Sequence, residues 1–127
     1  MKVYVAGSFA DRWESVSYVM SKLVYHGHTI TYDWRREDDT PESKAVADVM
    51  GVAQADFLVA VMVNPHLTYR GTYVEMGLAL ALGKPIYVIG DAGQECIFLH
   101  HPLVRRGWPN REKAREIHMI EEGINDA

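Results

Sequence analysis

Residues 57–85 read FLVAVMVNPHLTYRGTYVEMGLALALGKP, and this stretch decides the fold. Its first part, Phe57 to Val63, is apolar without alternation, as expected for a central strand that is covered on both faces. A polar loop follows, and the segment from Tyr69 to Pro85 carries a helix. Open α/β folds place their chemistry where a buried strand passes through a short loop into a helix. The start of this helix is therefore the first candidate for a functional site.

Glu75 is the candidate nucleophile in that helix. If the helix begins near Gly71 or Thr72, Glu75 lies in its first turn, where unpaired backbone N–H groups and the helix dipole favour an ionised carboxylate. An ionised carboxylate suits a nucleophile better than an acid. Gly71 lacks a Cβ atom, so a ligand can approach its backbone closely. The alternative is that Glu75 is only a partner of the helix dipole.

The composition bounds the class of protein. The 127 residues fit one domain with a single core. The formal net charge is −4, and the basic residues are scattered apart from Arg35-Arg36 and Arg105-Arg106, which argues against binding to a nucleic-acid polymer. The single Cys96 excludes a disulfide framework, and the apolar runs are shorter than the roughly 20 residues that span a bilayer. We expect a soluble, cytoplasmic protein without a membrane partner.

Strands and helices alternate along the chain. The predicted strands are Lys2–Ala6, His28–Trp34, Phe57–Val63, Ile86–Ile89 and an edge strand at Val104–Trp108. The predicted helices run from a cap at Asp11 to Gly27, from Thr40-Pro41 to Gln54, through the Glu75 segment, within Gly93–His101 and from Asn110 to Glu122. This alternation predicts a single-domain, doubly wound, flavodoxin-like parallel sheet of about five strands in the order 2-1-3-4-5. The ligand crevice then lies between strands 1 and 3.

Two further acidic positions are candidates for function. Asp33 and Trp34 fall at the carboxyl end of strand 2, where an indole beside a carboxylate suits a planar base; packing of Trp34 on the domain is the alternative. Asp48 lies beside Val49 on the helix side marked as apolar by Ala45, Val49, Val52 and Ala53. A carboxylate near a core face requires a reason, either chemical or as an internal hydrogen bond.

Motifs for cofactors are missing from the sequence. The loop after strand 1, GSFADR, carries one Gly before Phe9 and is not the GxGxxG fingerprint of dinucleotide binding. His100, His101 and His118 do not have metal-ligand spacing. We therefore expect neither a metal nor a redox cofactor.

Three blocks carry a family resemblance: VYVAGSF at residues 3–9, DVMGVAQAD at 48–56 and GTYVEMGLALALGKP at 71–85. With them, the whole chain, residues 1–127, resembles a single domain of the nucleoside 2-deoxyribosyltransferase family, which includes the deoxynucleoside 5′-monophosphate N-glycosidases. The resemblance implies that Glu75 attacks the sugar C1′, that Asp48 serves the base or the sugar, and that Tyr4 contacts the nucleophile. It also implies a homodimer or a larger homo-oligomer.

The substrate-binding candidates come from the same loops and from the resemblance. They are Gly7, Ser8, Phe9, Arg12, Asp33, Trp34, Asn64, Tyr69, Gly71 and Thr72. Phe9 and Arg12 resemble the Phe-x-Asp-Arg loop of the transferase branch, whereas Tyr4 resembles the N-glycosidase branch. Ala10 replaces an Arg of the monophosphate-specific branch, and Tyr69 replaces its Ser or the acidic residue of the transferases.

The resemblance implies cleavage of the N-glycosidic bond of (deoxy)nucleosides or their 5′-monophosphates. A covalent glycosyl-Glu75 intermediate would pass the sugar to another base or to water. The partner would be a small nucleoside or nucleotide. The alternatives are a non-catalytic nucleotide-binding or sensing module and, third, cleavage of NAD-like dinucleotides.

Overall fold

The computed structural model describes residues 1–90 and 96–108 of the protein. Five strands form one parallel sheet in the order β2-β1-β3-β4-β5, so the predicted α/β fold and strand order are confirmed. The strands are β1 (Lys2–Gly7), β2 (Thr29–Ile30), β3 (Phe57–Val61), β4 (Ile86–Ile89) and β5 (Val104–Trp108). The helices are α1 (Ser17–Tyr25), α2 (Pro41–Gln54) and α3 (Arg70–Ala81), with short turns of helix at Phe9–Asp11, Arg12–Val16 and Ile97–His100. The helix predicted from Asn110 to Glu122 lies outside the described residues.

The core surrounds the two central strands. Every residue of β3 is buried, which explains its unbroken apolar sequence, and β1 pairs with it from Val3–Phe57 to Gly7–Val61. Phe57 packs edge-on against Tyr87 of β4, with ring centroids 5.7 Å apart. Among the described residues, no helix is long and apolar enough to cross a membrane.

The second strand is shorter than the sequence predicted. β2 contains only Thr29–Ile30 of the expected His28–Trp34, because the chain turns at Thr31, whose N–H group still donates a 3.0 Å hydrogen bond to the Val3 carbonyl oxygen of β1. The turn lets the Trp34 indole nitrogen donate a 2.6 Å hydrogen bond to the Val5 carbonyl oxygen. The end of strand 2 is therefore fixed by side-chain packing on the sheet.

The first helix also begins later than predicted. Asp11 makes no side-chain cap, and a 3-10 turn and a π-helical turn precede α1, which begins at Ser17. The predicted stop is confirmed, since α1 ends at Tyr25 and Gly27 has a φ of 92°.

The second helix begins as predicted but buries a different side. Thr40 caps α2, with its hydroxyl accepting a 3.2 Å hydrogen bond from the Ser43 N–H group. Of the predicted apolar side, only Val52 is buried, whereas Val49 is 53% exposed. The prediction was wrong because α2 docks through Gly51 and Val52 and leaves most of its larger apolar residues uncovered.

Lys84 joins the end of α3 to the end of α2. Its ammonium group donates hydrogen bonds to the carbonyl oxygens of Val52 at 3.1 Å and Ala55 at 2.6 Å, and to that of Ala53. Carbonyl groups at a helix C-terminus lack partners within the helix, so one lysine stabilises this end of α2.

Candidate active site

Glu75 lies deeper in its helix than the sequence predicted. α3 begins at Arg70, so Glu75 is its sixth residue and falls in the second turn. The helix dipole acts mainly on the first turn and therefore does not explain the protonation state of Glu75. Burial raises the pKa of Glu75 to about 7; the hydrogen bond with Tyr4 opposes this rise, and the charge of Asp48 adds to it. The expected first-turn position is therefore wrong, and burial opposes the ionised form that the helix dipole was expected to favour.

One tyrosine hydroxyl bridges two carboxyl groups from different helices. Tyr4 of β1 lies 2.9 Å from Asp48 Oδ1 of α2 and is also hydrogen-bonded to Glu75 Oε2 of α3. Burial first, and then the two acidic neighbours, hold the pKa of Tyr4 far above its ordinary value. Burial also raises the pKa of Asp48, against the opposing effects of the Tyr4 hydrogen bond and Lys44. The structure thus brings together all three predicted catalytic residues.

Gly51 makes this arrangement possible, and the sequence analysis missed it. A Cβ atom on Gly51 would lie 2.9 Å from Tyr4 Cδ2 and 2.9 Å from Tyr32 Cβ, closer than carbon atoms pack. The absent side chain lets α2 lie directly on the Tyr4 ring. Asp48 precedes Gly51 by three residues and shares its side of α2, so close packing places its carboxyl group at the Tyr4 hydroxyl.

A cavity of about 290 Å³ opens beside the two carboxyl groups. Besides Asp48 and Glu75, the predicted site residues that line it are Gly7, Ser8, Phe9, Trp34, Tyr69, Gly71 and Thr72. Arg70 also lines it, as do Lys44 and Thr68, which were not predicted. Lys44 was detectable, because it precedes Asp48 by one helical turn and so shares its face of α2.

Aromatic rings form one wall of the cavity. Trp34 is buried and held by its hydrogen bond to Val5, and its ring centroid lies 6.4 Å from that of Phe9. The Phe9 ring is 38% exposed, and the Arg12 guanidinium carbon lies 3.7 Å from its centroid. Arg12 also donates to the carbonyl oxygens of Phe9 and Arg35. Arg12 therefore stabilises the loop at the edge of the cavity and does not line the cavity, whereas the sequence predicted that it binds the substrate.

Asp33 and Asn64 also lie outside the cavity lining. Asp33 forms an ion pair with Arg35 at 2.7 Å, and the hydrogen bonds from Arg35 lower its pKa despite partial burial. Asn64 fixes its own loop: its side chain accepts a 2.9 Å hydrogen bond from the His66 N–H group, and its backbone bonds to the Tyr69 hydroxyl. Both side chains have local partners, which position-based reasoning could not detect.

Thr72 lines the cavity and has a buried hydroxyl group. The residue is 1% exposed, and its hydroxyl oxygen has no hydrogen-bond partner among the described residues. It lies one turn before Glu75 on α3. A buried hydroxyl in this state is suited to a ligand. Within the described part of the chain, no cluster of His, Cys, Asp and Glu is suited to a metal ion.

The fold and the site define a class: a flavodoxin-like α/β domain with two carboxyl groups bridged by a tyrosine at the carboxyl edge of its sheet. The family model for nucleoside 2-deoxyribosyltransferase matches residues 3–121, and the chain belongs to that family. Membership indicates an enzyme of the deoxyribosyltransferase or N-glycosidase type that acts on nucleosides or nucleotides.

Two solved structures share the fold. The CMP N-glycosidase BcmB of Clostridium botulinum has a TM-score of 0.67 and 19% sequence identity, covering 96% of this chain and 99% of that one. A 2-desoxiribosyltransferase from Leishmania mexicana has a TM-score of 0.59 and 15% identity, covering 94% of this chain and 97% of that one. No curated protein matches the sequence.

Proposed function

We propose that this protein cleaves the N-glycosidic bond of 2-deoxynucleosides or their 5′-monophosphates through a covalent glycosyl-Glu75 intermediate. The observation that carries the proposal is the bridging of Asp48 and Glu75 by one hydroxyl group. Two such hydrogen bonds keep the bonded carboxyl oxygens within about 5–6 Å of each other. Carboxyl groups roughly 5–5.5 Å apart are typical of retaining glycosidases, which form a covalent intermediate, whereas inverting enzymes need a wider gap for water.

The reaction proceeds in two displacements. A Glu75 oxygen forms a bond to C1′ as the C1′–N bond breaks, and the departing base takes a proton from Asp48. Water or a second base then attacks C1′ from the opposite side and releases Glu75, with the Asp48 carboxylate taking the proton that the attacking water loses, so the configuration is retained overall. Glu75 acts as the nucleophile in its ionised form, and because burial raises its pKa to about 7, the site has to favour its ionisation during the reaction.

The cavity supplies contacts for each part of such a substrate. The Phe9 and Trp34 wall suits the base, and the Thr72 hydroxyl suits a sugar oxygen. Lys44 and Arg70 add positive charge to the lining, and Arg70 begins α3, whose N-terminus favours anions. These features favour a 5′-phosphate on the substrate.

Chromatography of reaction products tests the proposal. The protein is incubated with deoxynucleosides and a free acceptor base, and separately with deoxynucleoside monophosphates alone. We expect base release or exchange, and a loss of at least about 1,000-fold in Glu75→Gln, because the nucleophile is removed. Glu42→Gln, an exposed acid in the first turn of α2, is the matched control. Full activity in Glu75→Gln would refute the mechanism. Ligand binding without base release in the unmodified protein would favour a sensing module instead.

We also propose that the protein forms a homodimer through an apolar surface on α2 and α3. This surface, the α2–α3 apolar face, consists of Val46, Val49, Met50 and Val74, each more than half exposed. The three α2 residues recur at helical spacing opposite Gly51 and Val52. At about 100 Å² per side chain they expose on the order of 400 Å², the size of a functional patch. An uncharged patch is complementary to a second copy of itself, which supports self-association.

A further inference from the structure

The Tyr4 hydroxyl group has one hydrogen atom but two carboxyl neighbours, Asp48 and Glu75. A tyrosine hydroxyl donates one hydrogen bond, so the other contact is a hydrogen bond only if that carboxyl group is protonated and donates to the tyrosine oxygen. Two carboxyl groups that share a buried site do not readily ionise together, because their negative charges repel. The resting trio therefore holds one proton in addition to that of Tyr4.

This proton is on the wrong carboxyl group for the proposed chemistry. Burial raises the pKa of Glu75 to about 7. Burial also raises the pKa of Asp48, and the Tyr4 hydrogen bond opposes the rise at both carboxyl groups, but only Asp48 also has the charge of Lys44 to favour its ionised form. The proton therefore resides mainly on Glu75. The reaction requires the reverse arrangement, with Glu75 ionised as the nucleophile and Asp48 protonated as the acid.

We propose that Tyr4 is a proton relay that moves the resting proton from Glu75 to Asp48 as the N-glycosidic bond breaks. The inference rests on the proposed function and adds a role for Tyr4 beyond orienting Glu75. It depends on the two hydrogen bonds that the single hydroxyl group makes.

The relay balances in atoms and charge. The Glu75 O–H bond breaks as its proton joins the Tyr4 oxygen, while the Tyr4 O–H bond breaks as its proton joins Asp48. Tyr4 ends neutral, Glu75 ends as a carboxylate and Asp48 as a carboxylic acid. Glu75 then bonds to C1′, the electron pair of the C1′–N bond leaves with the base, and the base takes the Asp48 proton.

The surroundings suit Tyr4 to this role. Its side chain is 0% exposed, and its ring lies against Gly51 of α2, so the hydroxyl stays between the two carboxyl groups. Its raised pKa, due first to burial, disfavours phenolate formation, so it passes a proton on without retaining a charge.

Leaving-group chemistry separates a relay from a positioning role. Two substrates with the same sugar are compared: the nucleoside or monophosphate that the protein cleaves fastest, and its 4-nitrophenyl glycoside, whose leaving group departs with little need of a proton. The glycoside is assayed at a pH about two units above the Glu75 pKa of about 7, where Glu75 is ionised without a relay. Asp48→Asn is expected to lose about 100- to 10,000-fold on the first substrate and to recover on the second, because it lacks only the acid. A relay predicts the same pattern for Tyr4→Phe.

A tyrosine that only orients Glu75 predicts a different pattern. Tyr4→Phe would then be slowed equally on both substrates, and that result would overturn the relay, as would full activity on both. Tyr32→Phe is the matched control, since Tyr32 also packs against Gly51 but is not part of the trio; its rates should stay within about twofold of the unmodified protein. If the unmodified protein released neither leaving group, the proposed function itself would fail.

A measurement on the unmodified protein covers the case in which Tyr4→Phe does not fold. Rates are followed in mixtures of H₂O and D₂O. The relay moves two protons together, so the rate on the nucleoside substrate should depend on the deuterium fraction with quadratic curvature. A linear dependence on that substrate would overturn the relay. The 4-nitrophenyl glycoside, assayed at the raised pH at which Glu75 is already ionised, should show almost no isotope effect.

Discussion

Replacing Gly51 with Ala tests whether close packing of α2 on Tyr4 builds the site. The new Cβ atom would lie 2.9 Å from Tyr4 Cδ2, and the ring is held in the core, so the helix has to move. Overpacking of this kind costs about 1–3 kcal/mol, whereas Ala in place of Gly recovers about 1 kcal/mol of helix propensity. The free energy of unfolding should therefore fall by roughly 0–2 kcal/mol.

Gly77→Ala is the matched control for this substitution. Gly77 also lies within a helix, but nothing is within 4 Å of the position its Cβ atom would take. The propensity gain then acts alone and should stabilise the protein by about 0.5–1 kcal/mol. Because this gain is common to both variants, the difference between them isolates the overpacking cost of about 1–3 kcal/mol.

Urea unfolding followed by circular dichroism measures both free energies, and base release measures the effect on the site. An outward shift of α2 lengthens the 2.9 Å contact between Asp48 and Tyr4, and a displacement near 1 Å costs roughly 100-fold in rate. The reasoning is refuted if Gly51→Ala is as stable as Gly77→Ala and releases base at the same rate as the unmodified protein.

Three further substitutions test separate parts of the structure. The folded pKa of Glu75, about 7, lies above its ordinary value of 4.5, so the free energy of unfolding should fall as pH rises between these values, by on the order of 3 kcal/mol. Urea titrations should show that Glu75→Gln loses this slope; an unchanged slope would contradict the burial of Glu75. Lys84→Met removes the hydrogen bonds to the end of α2 and should lower the free energy of unfolding by about 1–3 kcal/mol. The control Lys22→Met on α1 should lower it little. Equal unfolding midpoints of the two variants in urea would exclude the role of Lys84. Met50→Glu places a charge on the α2–α3 apolar face and should convert the dimer to a monomer, as measured by sedimentation velocity. The control Val24→Glu on α1 should leave the dimer intact. If both variants stayed dimeric, the interface would lie on another surface.

The sheet was predictable from the sequence, and the family resemblance singled out the three residues Tyr4, Asp48 and Glu75 that the structure brings together. Unbroken apolar runs identify buried parallel strands, and their alternation with helices leaves few possible strand orders. Tyr4, Asp48 and Glu75 lie on the three elements that meet between β1 and β3, and the structure joins them through one hydroxyl group. The order of the three sequence blocks along the chain indicates which element carries each of these residues.

The properties that depend on packing were not predictable. Glu75 takes its raised pKa from burial, which its position in the helix does not reveal. Asp33 and Arg12 appear free in the sequence but are engaged by Arg35 and Phe9. Apolar periodicity does not identify which side of α2 docks, because a single Gly at position 51 lets the side that carries Gly51 and Val52 approach Tyr4.

The most direct test of the account is the mass of the protein during turnover. A substrate analogue with fluorine at C2′ destabilises the oxocarbenium-like transition state and slows release of the sugar from the protein. The protein is mixed with this analogue without an acceptor base, quenched in acid and digested for peptide mass analysis. The account predicts one added fluorosugar on the peptide that contains Glu75, and none in Glu75→Gln. Release of the base without an adduct at any time, or an adduct on another residue, would contradict it.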